Sequence, residues 1–79
     1  MDTMTQRIIE DIRQEFDLDL SEVLHRGILD PRDAKKWLVK QLYYKLYKTD
    51  RTYTDIKNEL SVKYDISVSS IEKLIYRKN

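Results

Sequence analysis

Apolar residues recur every four positions at the start of this chain: Met4, Ile8, Ile12 and Phe16, with Ile9 beside them. That spacing predicts an amphipathic helix over about residues 4–16, with Glu10, Asp11, Arg13, Gln14 and Glu15 on the opposite face. Asp17-Leu18-Asp19 breaks the pattern. Asp19 or Ser21 can cap a short helix through Leu24 and His25, which Gly27 ends by taking a left-handed conformation at little cost. Asp30-Pro31-Arg32-Asp33 is a helix start: Asp30 caps, Pro31 takes the first position, and Asp33 reaches back to the cap. The helix should run from about Pro31 to Tyr47. Ala34, Trp37, Leu38, Gln41, Leu42, Lys45 and Leu46 share one stripe, whose apolar members are expected at the centre of the core. Thr52 and Asp55 repeat the capping logic before a buried face of Ile56, Leu60 and Tyr64. Asp65-Ile66 turns the chain, and Ser67 caps a last helix from Val68 to about Arg77, with Val68, Ile71, Leu74 and Ile75 on its apolar face. The expected fold is all-α: one compact bundle of about four to five helices over residues 1–79, with a C-terminal helix-turn-helix at about 52–78.

Composition narrows the chemistry. With 79 residues, a single domain with one modest core is expected. Cysteine is absent, so disulfides and thiolate metal sites are excluded. One glycine and one proline argue against turn-rich β structure and glycine loops that cradle phosphate. No apolar run approaches the roughly 20 residues that span a membrane, and the start lacks a basic stretch followed by an apolar one. A soluble cytoplasmic protein without a cofactor or metal is expected. His25 is the sole imidazole, and a histidine beside a helix end is more often solvated than catalytic. Asp17, Asp19 and Glu22 lack the glycine turn and spacing of a calcium loop. The chain is not expected to be an enzyme.

The net charge of +1 hides an asymmetry. Residues 1–33 carry nine acidic and four basic side chains, whereas residues 34–79 carry eleven basic and five acidic. Such a split suits a face that meets a polyanion and another that is repelled by it. On the last helix, 3.6-residue geometry sends Ser69, Ser70, Lys73, Tyr76 and Arg77 away from the apolar face. Small hydroxyls allow close approach to a groove floor, and Lys73 and Arg77 can reach guanine acceptors or phosphates. Ser67 and the first free N–H groups can hold a phosphate. Thr52, Tyr53 and Lys57 lie where a bracing helix would meet the DNA backbone, and Glu72 is expected at the edge. Double-stranded DNA is the expected partner. Ser69, Ser70, Lys73 and Tyr76 would touch bases, and Arg26, Arg32, Arg51, Thr52, Lys57, Lys63, Arg77 and Lys78 would touch phosphates. About six such contacts imply roughly a thousandfold loss of affinity between about 50 and 200 mM salt.

Tyr43, Tyr44 and Tyr47 fall on adjacent faces of one helix, so all three cannot be buried. They can fill a core, pair with a second copy or a protein partner, or stack on bases. A protein-interaction module without DNA binding is the alternative function, docking through these tyrosines or the acidic opening helix.

The order of features resembles the C-terminal DNA-binding domain of DnaA-type bacterial replication initiators, a Trp-repressor-like fold, from about Ile8 to Arg77. "IIEDIRQEFDLDLSEVL" is similar to that domain's opening helix and the step after it. "DPRDAKKWLVKQL" is similar to its long central helix, "YTDIKNEL" to its bracing helix and "VSSIEKLIYR" to its recognition helix. The resemblance implies duplex binding by a helix-turn-helix and by a basic loop before the central helix. It places Ser69 and Ser70 on the family's paired threonines and Arg77 near its late basic position. Where the family has a Gly-Gly-Arg-Asp-His run, this chain has Tyr64-Asp65-Ile66-Ser67-Val68, and the family's arginine-rich loop is reduced to Arg26 and Arg32. The fold is therefore expected to carry over, and the initiators' origin-sequence readout is not.

Overall fold

A computed structural model describes residues 3–76. Those residues form five α-helices in the order α1 (Thr3–Phe16), α2 (Ser21–His25), α3 (Pro31–Leu46), α4 (Tyr53–Tyr64) and α5 (Val68–Tyr76). No strand occurs among them. They fall into two compact units, divided within α3 between Leu38 and Val39.

The first unit holds α1, α2 and the opening half of α3. Ile8 and Ile12 of α1 are buried, with Thr5 as a buried polar neighbour on the same face. Phe16 is half-buried and meets the edge of Trp37, with ring centroids 5.4 Å apart. Asp17 leaves α1 in a left-handed conformation (φ 56°), which an aspartate tolerates better than most residues. Leu20 occupies the cap position of α2 and supplies no side-chain bond, while Asp19, one residue earlier, accepts the Ser21 N–H on its Oδ1 at 2.9 Å. Gly27 (φ 74°) follows its end. α3 begins with Asp30 Oδ1 accepting the Arg32 N–H at 2.8 Å. In place of the reciprocal bond expected from Asp33, the Arg32 guanidinium folds back onto Asp30 at 3.1 Å.

The buried face of α3 differs from the expected stripe. Ala34, Leu38, Val39, Leu42 and Tyr43 are buried, whereas Trp37 remains 38% exposed. The buried line sits one position round from the expected one: Val39 and Tyr43 join Leu38 and Leu42 in the buried set, while Gln41 is half-buried and Lys45 is exposed. α3 ends at Leu46, and the Tyr47 N–H still bonds the Tyr43 carbonyl at 2.9 Å.

The second unit holds the rest of α3 with α4 and α5. Thr52 caps α4 as expected, its hydroxyl oxygen accepting the Asp55 N–H at 3.1 Å. Ile56, Leu60 and Tyr64 are all buried. Asp65 stops the helix at φ 51°, and the Ile66 N–H closes onto the Ser61 carbonyl at 3.2 Å. α5 packs against α4 and buries Ile71 completely, while Val68, Leu74 and Ile75 are half-buried. No helix among the described residues is long and apolar enough to cross a membrane.

Candidate nucleic-acid interface

Three residues, Asp65 to Ser67, connect α4 to α5. Ser67 caps α5: its Oγ accepts the Ser70 N–H at 3.1 Å and donates to the Ser70 Oγ at 2.8 Å. The Ser67 oxygen is therefore committed to the helix start, and the Ser70 hydroxyl proton remains available to an outside acceptor. Ser69, Ser70, Lys73 and Tyr76 are exposed. Ser69, Lys73 and Tyr76 line a shallow depression together with Glu72. Lys73 is the only cation in α5, and no described side chain pairs with it.

Lys57 bonds inward, to α5. Its ammonium donates to the Tyr76 hydroxyl at 2.9 Å and to Glu72 at 3.3 Å, and it stands 5.0 Å from the Tyr76 ring centroid. Its side chain is 12% exposed. The bond to Tyr76, followed by the bond to Glu72, holds the ammonium above the ordinary lysine range. Lys57 thus sets the position of the Tyr76 ring and neutralises the one acid on α5. The buried Tyr43 hydroxyl is pushed up, first by its burial and next by Tyr76.

Arg51 is similarly occupied: it bonds Asp55 at 2.8 Å and Glu59 at 2.7 Å, clamping the first two turns of α4. Thr52 is exposed at the helix start with its oxygen in the cap. Lys63 is exposed, 5.6 Å from the Tyr64 ring centroid. Arg26 and Arg32 belong to the first unit, where each is bonded to a near neighbour, Glu22 at 2.8 Å and Asp30 at 3.1 Å. Arg77 and Lys78 lie outside the described residues. Within the second unit, the structure thus brings Ser67, Ser69, Ser70, Lys73, Tyr76 and Lys57 together.

Two features escaped the sequence reading. Glu72 belongs to a bridge between α4 and α5, and the only sequence sign was an acid facing a lysine at no helical spacing. Tyr53 also joins the tyrosines of α3: its ring lies 6.3 Å from Tyr43 and 6.2 Å from Tyr47.

No family model, characterised protein or solved structure matches this chain. The class defined by its structure is a small all-α protein, and its function rests on the residues themselves.

Proposed function

We propose that this chain binds double-stranded DNA through the exposed face of α5, with α4 as its bracing helix in a helix-turn-helix, and that it serves as a regulator of transcription or of a mobile element. The observation that carries this reading is Lys73: an exposed cation with no partner among the described residues, near the Ser69 and Ser70 hydroxyls, on a helix whose single acid is already neutralised by Lys57. Small hydroxyls let the helix approach a major groove, and a lysine there reaches base acceptors or phosphate. The Tyr76 ring, held by Lys57, supplies an aromatic edge beside it.

The internal pairing of Arg26, Arg32, Arg51 and Lys57 lowers the number of cations free for phosphate. With about four phosphate contacts rather than six, affinity should fall about a hundredfold between roughly 50 and 200 mM salt. Fluorescence anisotropy of a labelled random-sequence duplex pool tests this. Micromolar or tighter binding that weakens with salt supports the reading, and Lys73→Glu should lose it while circular dichroism shows unchanged helix content. Wild-type affinity in that variant removes Lys73 from the interface.

A protein-interaction module is the second reading. Its favouring observation is an apolar depression in the first unit, lined by Leu18, Leu20, Leu29, Ala34 and Trp37 with Asp33 at its rim.

A further inference from the structure

Four tyrosines of the second unit touch one another in a continuous cluster. Tyr43 lies beneath, 5% exposed, while Tyr44, Tyr47 and Tyr53 above it are 38, 42 and 55% exposed. The Tyr43 and Tyr47 rings are near-parallel (7°) with centroids 6.2 Å apart, and Tyr44 meets both Tyr43 and Tyr47 edge-on. Each exposed ring is thus braced by a neighbour, so it holds its orientation without a partner. Apolar residues exposed singly are ordinary, but contiguous rings, rigid and open to water, are a surface suited to contact.

The charge around these rings selects the occupant. Lys40 lies one turn before Tyr44 on the same face of α3, and Lys48 follows Tyr47 in the turn after the helix. Neither has a partner among the described residues. The acids at the start of α4, Asp55 and Glu59, are both taken up by Arg51, which leaves Asp50 as the unpaired carboxylate of the connecting turn. Exposed aromatic rings between free lysines are complementary to a chain carrying flat bases and one negative charge per unit. We propose that Tyr44, Tyr47 and Tyr53, with Lys40 and Lys48, form a stacking platform for a single-stranded nucleic acid, distinct from the Ser69–Lys73 face of α5 and meeting it where Tyr43 contacts Tyr76. Bases inside a duplex have no free faces to offer these rings, whereas an unpaired strand does, and stacking of this kind tolerates any sequence.

The test is anisotropy of a labelled thymidine oligomer of about 15 nucleotides at low salt, with tyrosine fluorescence read in parallel. The oligomer should bind and quench the tyrosines. Combined Tyr44→Leu and Tyr47→Leu substitution should weaken binding about tenfold or more, because each stacked base is worth about that much. Combined Tyr44→Phe and Tyr47→Phe should bind as wild type, since stacking needs the ring and not the hydroxyl. Should the leucine variant lose helix content, Lys40→Glu with Lys48→Glu decides instead, and must also weaken binding. Absence of binding, unchanged binding in the leucine or glutamate variant, or loss of binding with phenylalanine overturns the proposal. So does sedimentation showing a dimer that the leucine variant dissolves. Lys73→Glu separates this platform from α5: it should abolish duplex binding and leave the oligomer bound, and equal loss of both ligands overturns the proposal.

Discussion

The two units hold their helices with different polar chemistry. In the first, carboxylates sit at helix starts and bond within two residues: Asp19 to Ser21, and Asp30 to Arg32. In the second, hydroxyls do the capping, at Thr52 and Ser67, and the polar bonds reach further: Lys57 spans fifteen residues to Glu72 and nineteen to Tyr76. A cap that is a carboxylate ties helix geometry to its own ionisation. A cap that is a hydroxyl does not, and on the alkaline side the second unit responds through Lys57 and Tyr43, both held above their ordinary values. The aromatic residues divide the same way. The sole tryptophan, Trp37, lies in the first unit, and all six tyrosines lie at or beyond Tyr43. Each unit therefore carries its own spectroscopic reporter.

The largest effects test whether each unit has a real core. Ile12 and Ile71 are both completely buried. Replacing either with alanine should cost about 3 kcal/mol, a large part of the stability of so small a protein. Denaturant melts followed by tryptophan fluorescence and by circular dichroism would show it. Were the two signals to shift together for both variants, the distinction between units would not extend to their stability. A cost below about 1 kcal/mol would mean that the site is not packed as described.

The pH dependence should separate the two ends next. Hydrogen bonds from the Ser21 side chain and N–H lower the Asp19 carboxyl, and those from the Arg32 side chain and N–H lower Asp30. A folded-state carboxyl held below its unfolded value stabilises the fold above about pH 4, and that contribution is lost as pH falls through the folded value. Lys57 and Tyr43 are both raised. Their contribution is complete below about pH 10 and is lost as pH rises through their folded values. Acid should therefore disturb Trp37 fluorescence first, and alkali should reduce helix content with Trp37 least affected. The reverse order would break the comparison.

A hydroxyl cap allows a finer test. Thr52→Ala should cost about 1 kcal/mol at neutral pH, and the cost should stay level into mild acid because no carboxylate supplies that cap. A cost that disappears on acidification would show that Asp55 provides the charge that matters there.

The smallest effect concerns binding. Glu72→Gln removes the one acid of α5 and releases Lys57 from its ion pair. Duplex affinity should rise about threefold, and the salt slope should steepen by about one unit. A fall in affinity would instead assign Lys57 and Glu72 the single task of holding Tyr76 in place.

Helix starts and stops were legible along the chain because their causes are local. Asp30-Pro31, Thr52 with Asp55, and Ser67 with Ser70 each act through bonds that span three residues or fewer, so adjacent residue types settle them. The inward face of α3 was less legible. A helix rich in tyrosine, lysine and leucine offers several stripes of similar apolar weight, and only its neighbours choose among them. That choice buried Tyr43 and Val39 and left Trp37 at the edge. The candidate binding face divided in the same manner. Helical spacing sufficed to turn Ser69, Ser70, Lys73 and Tyr76 outward.

An all-α chain of about four to five helices, the Thr52 and Ser67 caps and the outward turn of Ser69, Ser70, Lys73 and Tyr76 were readable along the chain, because each follows from periodicity or from a bond to a near neighbour. Which cations remain free follows from packing between helices. A cation's availability depends on the carboxylate that the fold brings to it: Lys57 meets Glu72, Arg51 meets Glu59 two turns along, and Lys73 has no partner among the described residues. The tyrosine platform is tertiary for the same reason, since Tyr53 reaches Tyr43 and Tyr47 only when the chain turns back after α3.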